Sequence, residues 1–143
     1  MNEIPIQIKI YNDPTLMPDY LREQVEKLGK FKLQLNIADD KQFHFLAMQQ
    51  NQLVGYLKAR FSETAFLDYV VRNDKMPQLG IASRLYKEFE KKAGNLPQNL
   101  VVPKANDVAI KRYEKWGFRK SLWRFSKFVR MNKNTNSWFS FFF

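Results

Sequence analysis

The sequence predicts an α/β (α+β) protein built on one mixed, mostly antiparallel central sheet with helices packed against it. Three observations predict this. Residues 43–71 hold three apolar runs separated only by short polar links, the pattern of consecutive antiparallel strands. A helix with clear 3.6-residue periodicity follows from Gly80, then a wholly apolar Leu100-Val101-Val102, then a second amphipathic helix. The 143 residues are 45% hydrophobic and 27% charged, which suits a single domain with its own core and excludes disordered and collagen-like classes.

In chain order, Ile4, Ile6, Ile8 and Ile10 alternate with polar residues and read as a half-buried strand, broken by Asn12-Asp13-Pro14. Leu21, Val25 and Leu28 mark one face of a helix over 17–28 that Gly29 ends. Phe31, Leu33, Leu35 and Ile37 alternate again and predict a strand or extended segment before the turn at Asp39-Asp40-Lys41. Runs 43–48 and 53–61 form a hairpin, and 65–71 adds a third strand after Ser62-Glu63-Thr64. A polar loop leads to the helix at Gly80, whose inner face is Ile81, Leu85 and Phe89 and which Gly94-Asn95 closes. The short apolar run at 100–102 predicts a central strand. A helix over 106–116 stops at Gly117, and 118–123 with 125–131 read as a closing strand pair. Residues 1–133 thus form one domain, and 134–143 form an aromatic tail with Trp138, Phe139, Phe141, Phe142 and Phe143. The tail raises the expectation of self-association into a homodimer.

Cysteine is absent and His44 is the single histidine, which excludes a disulfide framework, a thiol nucleophile and a multi-His metal centre; no metal is expected. Nothing in the first residues resembles a signal peptide and no stretch is long enough to span a bilayer, so a cytoplasmic protein without a membrane partner is expected. The net charge is +10, and residues 111–133 carry nine Lys/Arg against one acid, Glu114. Such a segment attracts polyanions, so an anionic partner or nucleic acid is a second expectation. His44, between Phe43 and Phe45, reads as a satisfied structural histidine, and Trp116, Trp123 and Phe125 read as packing.

Candidate chemistry concentrates in 65–118. Gly80-Ile81-Ala82 opens a helix whose N-terminus offers free N–H groups to a phosphate. Asn106, Ala109 and Tyr113, spaced i, i+3 and i+7, share a face of the next helix, which ends in Gly117-Phe118. With the strand Leu53-Val54-Gly55-Tyr56-Leu57 and the late run Phe128-Val129-Arg130-Met131, these motifs resemble the GCN5-related N-acetyltransferase (GNAT) superfamily over about residues 43–133. Pro77 stands where that family carries Arg or Gln, three residues before the glycine, and removes one backbone donor.

The resemblance implies helices on both sheet faces and a splayed cleft between the strands at 65–71 and 100–102. It implies acetyl-CoA as acyl donor, with its pyrophosphate on the N–H groups of Gln78, Leu79, Gly80, Ile81, Ala82 and Ser83. Asn106 and Ala109 would meet the pantetheine arm, and a backbone N–H near Val70 or Val71 would polarise the thioester. Tyr113 would return a proton to the leaving thiolate. Asp68, the lone acid in its strand, is the base candidate, with Glu63 and Asp74 flanking it. The acceptor is an amine-bearing molecule of unspecified class. The competing expectation is a GNAT fold that has lost catalysis and binds nucleic acid or protein through its basic C-terminal region.

Overall fold

The computed structural model describes residues 5–35, 41–75, 80–121 and 127–134. Its elements run β1 (Ile6–Tyr11), a 3-10 turn (Pro14–Leu16), α1 (Asp19–Gly29), β2 (Gln42–Gln49), β3 (Gln52–Phe61), β4 (Ala65–Arg72), α2 (Ile81–Ala93), β5 (Gln98–Pro103), α3 (Asp107–Lys115), β6 (Arg119–Lys120) and β7 (Phe128–Lys133). The strands form one sheet in the order β1-β2-β3-β4-β5-β7-β6. Only β4 and β5 run parallel; every other neighbouring pair is antiparallel.

Alternation along the strands divides the core in two. Leu46 and Met48 of β2 and Leu53 and Tyr56 of β3 bury Met17, Leu21 and Val25, so α1 covers one face. Phe45, Ala47, Val54 and Leu57 turn to the other face, where they meet α2 through Ile81, Leu85 and Phe89 and α3 through Ala109, Ile110 and Tyr113. Helices therefore lie on both faces. The expected central position of 100–102 also holds, since β5 sits between β4 and β7.

Three boundaries differ from the sequence reading. Residues 31–35 form no strand. Their alternation is genuine, but β1 already occupies the free edge of β2. The segment instead folds back on α1: the Phe31 N–H donates to the Glu26 carbonyl at 3.2 Å and the Leu33 N–H to Glu26 Oε2 at 2.7 Å. The left-handed residue that ends α1 is Lys30 (φ 58°), and Gly29 remains helical. The closing pair is shorter than expected, with β6 only two residues long and β7 reaching Lys133. Ile4, Ile37, Trp123, Phe125 and the aromatic residues of the tail lie outside the described residues.

Two devices seat α2. Gly55 of β3 allows close approach: a Cβ built there lies 2.5 Å from Ile81 Cγ2 and 3.0 Å from Leu85 Cδ1. At the other end, Lys133 Nζ donates to the Trp116 carbonyl (2.6 Å), Tyr86 Oη (3.0 Å) and Glu90 Oε2 (3.0 Å). Tyr86 Oη donates to Gln98 Oε1 at 2.5 Å, and Gln98 Nε2 to Glu90 Oε2 at 3.2 Å. The Tyr86 ring stacks flat on Trp116, centroids 4.4 Å apart. This network ties α2, α3, β5 and β7 together, and it draws Lys133 inward, away from the basic surface its sequence neighbours suggested.

Gly55→Ala should cost about 1–3 kcal/mol by overpacking Ile81. Chemical denaturation checks this; a variant as stable as the parent would show that α2 does not sit as close to β3 as described.

Candidate functional site

β4 contains one residue more than β3 opposite it. Lys58 pairs with Tyr69 and Ala59 with Leu67, so Asp68 is the extra residue of a β-bulge. Leu67 and Val70 consequently face α2 and α3 with two residues between them instead of one. Tyr69 and Val71 join the α1 side. Asp68 turns the same way: Arg60 donates to its carboxylate through Nη2 at 3.0 Å and Nε at 3.2 Å, and the Arg60 guanidinium lies over the Phe66 ring.

At the same point β4 parts from β5. Their parallel pairing runs through Ala65↔Gln98, Phe66↔Asn99 and Leu67↔Leu100 and stops there. β5 continues to Pro103 paired with β7 on its other edge. The facing edges of β4 beyond Leu67 and β5 beyond Leu100 thus border a split. Ladder geometry identifies which β4 group faces it. The Asn73 N–H donates to the Val54 carbonyl at 2.9 Å, and the antiparallel alternation that follows turns the Val71 N–H to β3 and the Val70 N–H away, to the split.

Both helices that follow these strands start at the open end of the split, the carboxyl end where open α/β sheets bind ligands. Gly80 caps α2 in the left-handed conformation (φ 82°) without a side-chain cap bond. The first intrahelical bond runs from the Arg84 N–H to the Gly80 carbonyl at 2.9 Å. The N–H groups of Ile81, Ala82 and Ser83 precede it and have no acceptor within the helix. A Cβ built on Gly80 meets nothing within 4 Å among the described residues, and free N–H groups at such a terminus are of the kind that binds a phosphate. Ile81 itself is buried, whereas Ser83 is exposed. Gln78 and Leu79, with Pro77, lie outside the described residues.

On α3, Asn106 is the N-cap: its Oδ1 accepts from the Ala109 N–H at 3.2 Å, which leaves its Nδ2 as the group that can donate outward. Ala109 and Tyr113 are buried on one helix face. The Tyr113 ring meets Trp116 and Phe118 edge-on. Burial pushes its phenol above the usual tyrosine value, and the adjacent Arg112 charge pulls it partly back. Of the flanking acids, Asp74 sits exposed beside Arg72 at 3.7 Å.

A second cluster on the α1 face was not foreseen as a group. His44 Nδ1 lies 2.5 Å from Tyr56 Oη, and the two rings stack at 5.9 Å. The Tyr69 ring stands 5.7 Å from that of Tyr56, and Phe31 covers both. Among the described residues, His44 Nε2 and Tyr69 Oη are shut off from solvent and make no hydrogen bond of ordinary geometry. His44 is therefore only half satisfied, contrary to the expectation of a satisfied structural histidine. Burial, reinforced by the neighbouring Tyr69 phenol and then by Asp68, raises Tyr56; burial and then Asp68 raise Tyr69, tempered by the nearby Tyr56 hydroxyl. Arg60 and Arg112 were likewise missed. The available signal was a histidine and two tyrosines in three successive strands, which read as ordinary strand aromatics.

Comparison with known proteins bears on the family and the fold. The family described as acetyltransferase (GNAT) domain matches residues 16–133. No curated protein matches the chain. Among solved structures, an acetyltransferase from Thermus thermophilus superposes with a TM-score of 0.68 at 15% identity, covering 94% of this chain and 99% of that one. An acyl-CoA N-acyltransferase from Pseudomonas aeruginosa gives 0.67 at 14% identity, covering 90% and 99%. Arabidopsis thaliana Naa50, in complex with the bisubstrate analogue CoA-Ac-MVNAL, gives 0.62 at 16% identity, covering 89% and 98%. At these identities the likeness is one of fold.

Burial, followed by the Lys58 charge, lowers the His44 pKa to about 4. The unfolded chain takes up this proton near pH 6.5, as an ordinary histidine does. Stability is thus full above about pH 6.5 and falls by about 3 kcal/mol as the pH drops from there through 4. Denaturation midpoints of His44→Gln should vary less with pH across that window; an undiminished slope would show that His44 is not held neutral by folding.

Proposed function

Since the chain belongs to the acetyltransferase (GNAT) family, a family of acyl-CoA-dependent transferases, we propose that it moves an acetyl group from acetyl-CoA to a primary amine by direct attack. The observation that carries this reading is the split between β4 and β5, with the Val70 N–H on one border and the N-termini of α2 and α3 at its open end.

Acetyl-CoA supplies an activated acyl group as a thioester. The N–H groups of Ile81, Ala82 and Ser83 would hold its diphosphate, helped by the positive end of the α2 dipole. Gln78 and Leu79 would extend that cradle, and Asn106 Nδ2 and Ala109 would meet the pantetheine arm. The Val70 N–H would donate to the thioester oxygen, where negative charge grows during attack; a fixed donor of this kind is worth roughly 3–4 kcal/mol of barrier. Val71 does not share this task, because its N–H serves the β3 ladder.

With the donor held on the α2 side, the acceptor amine approaches from the α1 face, where the bulge displays Asp68 and Tyr69. An alkyl ammonium has a pKa of about 10.4 and a carboxylic acid about 3.9. Asp68 would therefore attract the ammonium, the neutral fraction of the amine would attack the thioester, and Asp68 would take the proton that the nitrogen carries once the C–N bond has formed, with Arg60 holding the carboxylate in place. Tyr113 would return a proton to the leaving sulfur, its transient negative charge moderated by Arg112.

Acetyl-CoA at one hundred times its Kd should stabilise the folded protein by about 2.7 kcal/mol, read as a rise in Tm. Tyr113→Phe should keep that rise and lose about 10²-fold in kcat, found by screening acetyl-CoA consumption across amine classes. Unchanged kcat would remove Tyr113 from the mechanism. No rise in Tm for the parent protein would remove the cofactor itself.

A further inference from the structure

Resting on the acetyl-transfer reading, we propose that the acceptor binds on the α1 face beneath Phe31, with its amine hydrogen-bonded to the Tyr69 hydroxyl and an apolar arm in the place the Phe31 ring now fills.

The bulge at Asp68 sets Tyr69 on the α1 face directly beside Val70, whose N–H borders the split. Tyr69 and Val71 thus flank Val70 in sequence on the side from which the amine must come, and Tyr69 is the polar one of the two. Its hydroxyl is sealed from water and, among the described residues, makes no hydrogen bond of ordinary geometry, although the Tyr56 hydroxyl, itself bonded to His44, lies nearby. A buried hydroxyl without a partner costs about 1–3 kcal/mol, so its retention needs a reason outside the folded chain alone. A ligand N–H is such a reason. Beneath it, Tyr56 and His44 form a neutral, mutually bonded floor, with Lys58 the cation paired across the ladder from His44 and Tyr69. Beside it, the Asp68 carboxylate supplies the attraction.

The cover is weakly built. Phe31 stacks on Tyr56 at 5.9 Å and meets Tyr69 edge-on at 5.5 Å. Yet residues 31–35 pair with no strand, and the backbone bonds that fix Phe31 and Leu33 both end on Glu26. Swinging the Phe31 ring aside uncovers the Tyr69 hydroxyl and leaves an aromatic-walled slot. Such a slot suits a primary amine on a flat or apolar arm and disfavours a polycation, whose further charges would lack partners there.

The test compares the parent protein, Tyr69→Phe and Phe31→Ala with two acceptors at high concentration, 2-phenylethylamine and spermidine. The expected parent prefers 2-phenylethylamine. Tyr69→Phe should leave the acetyl-CoA Kd unchanged, hold or raise Tm because an unsatisfied hydroxyl is gone, and lose about 10- to 100-fold in kcat/KM for the amine, the size of one hydrogen bond to a charged group. Phe31→Ala should lower the KM for 2-phenylethylamine. Unchanged kcat/KM in Tyr69→Phe, a fall in its Tm, or a parent that prefers spermidine would overturn the proposal. So would a parent that binds acetyl-CoA and acetylates neither amine, since a slot of this chemistry must accept the aromatic one. A parent that fails to bind acetyl-CoA overturns the broader reading as well, and that measurement alone distinguishes the two failures.

Discussion

The extra residue in β4 is the constraint on which the rest of the molecule turns. A strand that carries one residue more than its antiparallel neighbour must bend and twist locally. Here the bend coincides with the last β4–β5 pair, Leu67↔Leu100. Two parallel strands that diverge leave backbone donors and acceptors facing a gap, and such groups are costly unless something pairs with them. The same insertion shifts side chains, putting Asp68 and Tyr69 together on the α1 face and turning Val70 into the α2 and α3 core. In the proposed mechanism, one backbone irregularity thus sets the donor border, the acceptor side and the acidic group between them.

A split of this kind persists only if the elements around it cannot collapse. α2 is held at its start by the absence of a Cβ at Gly55 and along its length by the Lys133 network. Lys133 is partly buried, and an amine drawn in from water is tolerable only with its donors satisfied. Three acceptors from two helices do this, one being the Trp116 carbonyl at the end of α3. The stacked Tyr86 and Trp116 rings add a flat apolar joint at the same place. The two helix N-termini are therefore presented at fixed positions across the gap, which a phosphate-bearing ligand requires.

Much of this was legible in the sequence because it depends on local chemistry. The strand runs at 43–71, the helix after Gly80 and the Asn106 helix with its Gly117 stop all follow from periodicity and cap residues. Asn106 capping α3 was foreseeable from its type alone. What was illegible depends on partners distant in sequence. Alternation at Phe31, Leu33 and Leu35 is the same whether a strand edge is free or taken, and β1 had taken it. The bulge was hidden because 65–71 is apolar on both faces apart from Asp68, and a lone acid in a strand reads equally as a solvent-facing position. Arg60 and Asp68 meet across the β3–β4 ladder, and His44, Tyr56 and Tyr69 meet across three strands. Each looks like an ordinary strand residue until register is known.

The most direct test of the account follows backbone amide resonances while acetyl-CoA is titrated into the isotope-labelled protein. The account predicts that the amide signals of Val70 and of Ile81, Ala82 and Ser83 shift most and saturate together, with that of Val71 moving less because its N–H stays in the β3 ladder. Saturable binding that leaves Val70 and the start of α2 unmoved would contradict it, for the ligand would then lie outside the split that the Asp68 bulge creates.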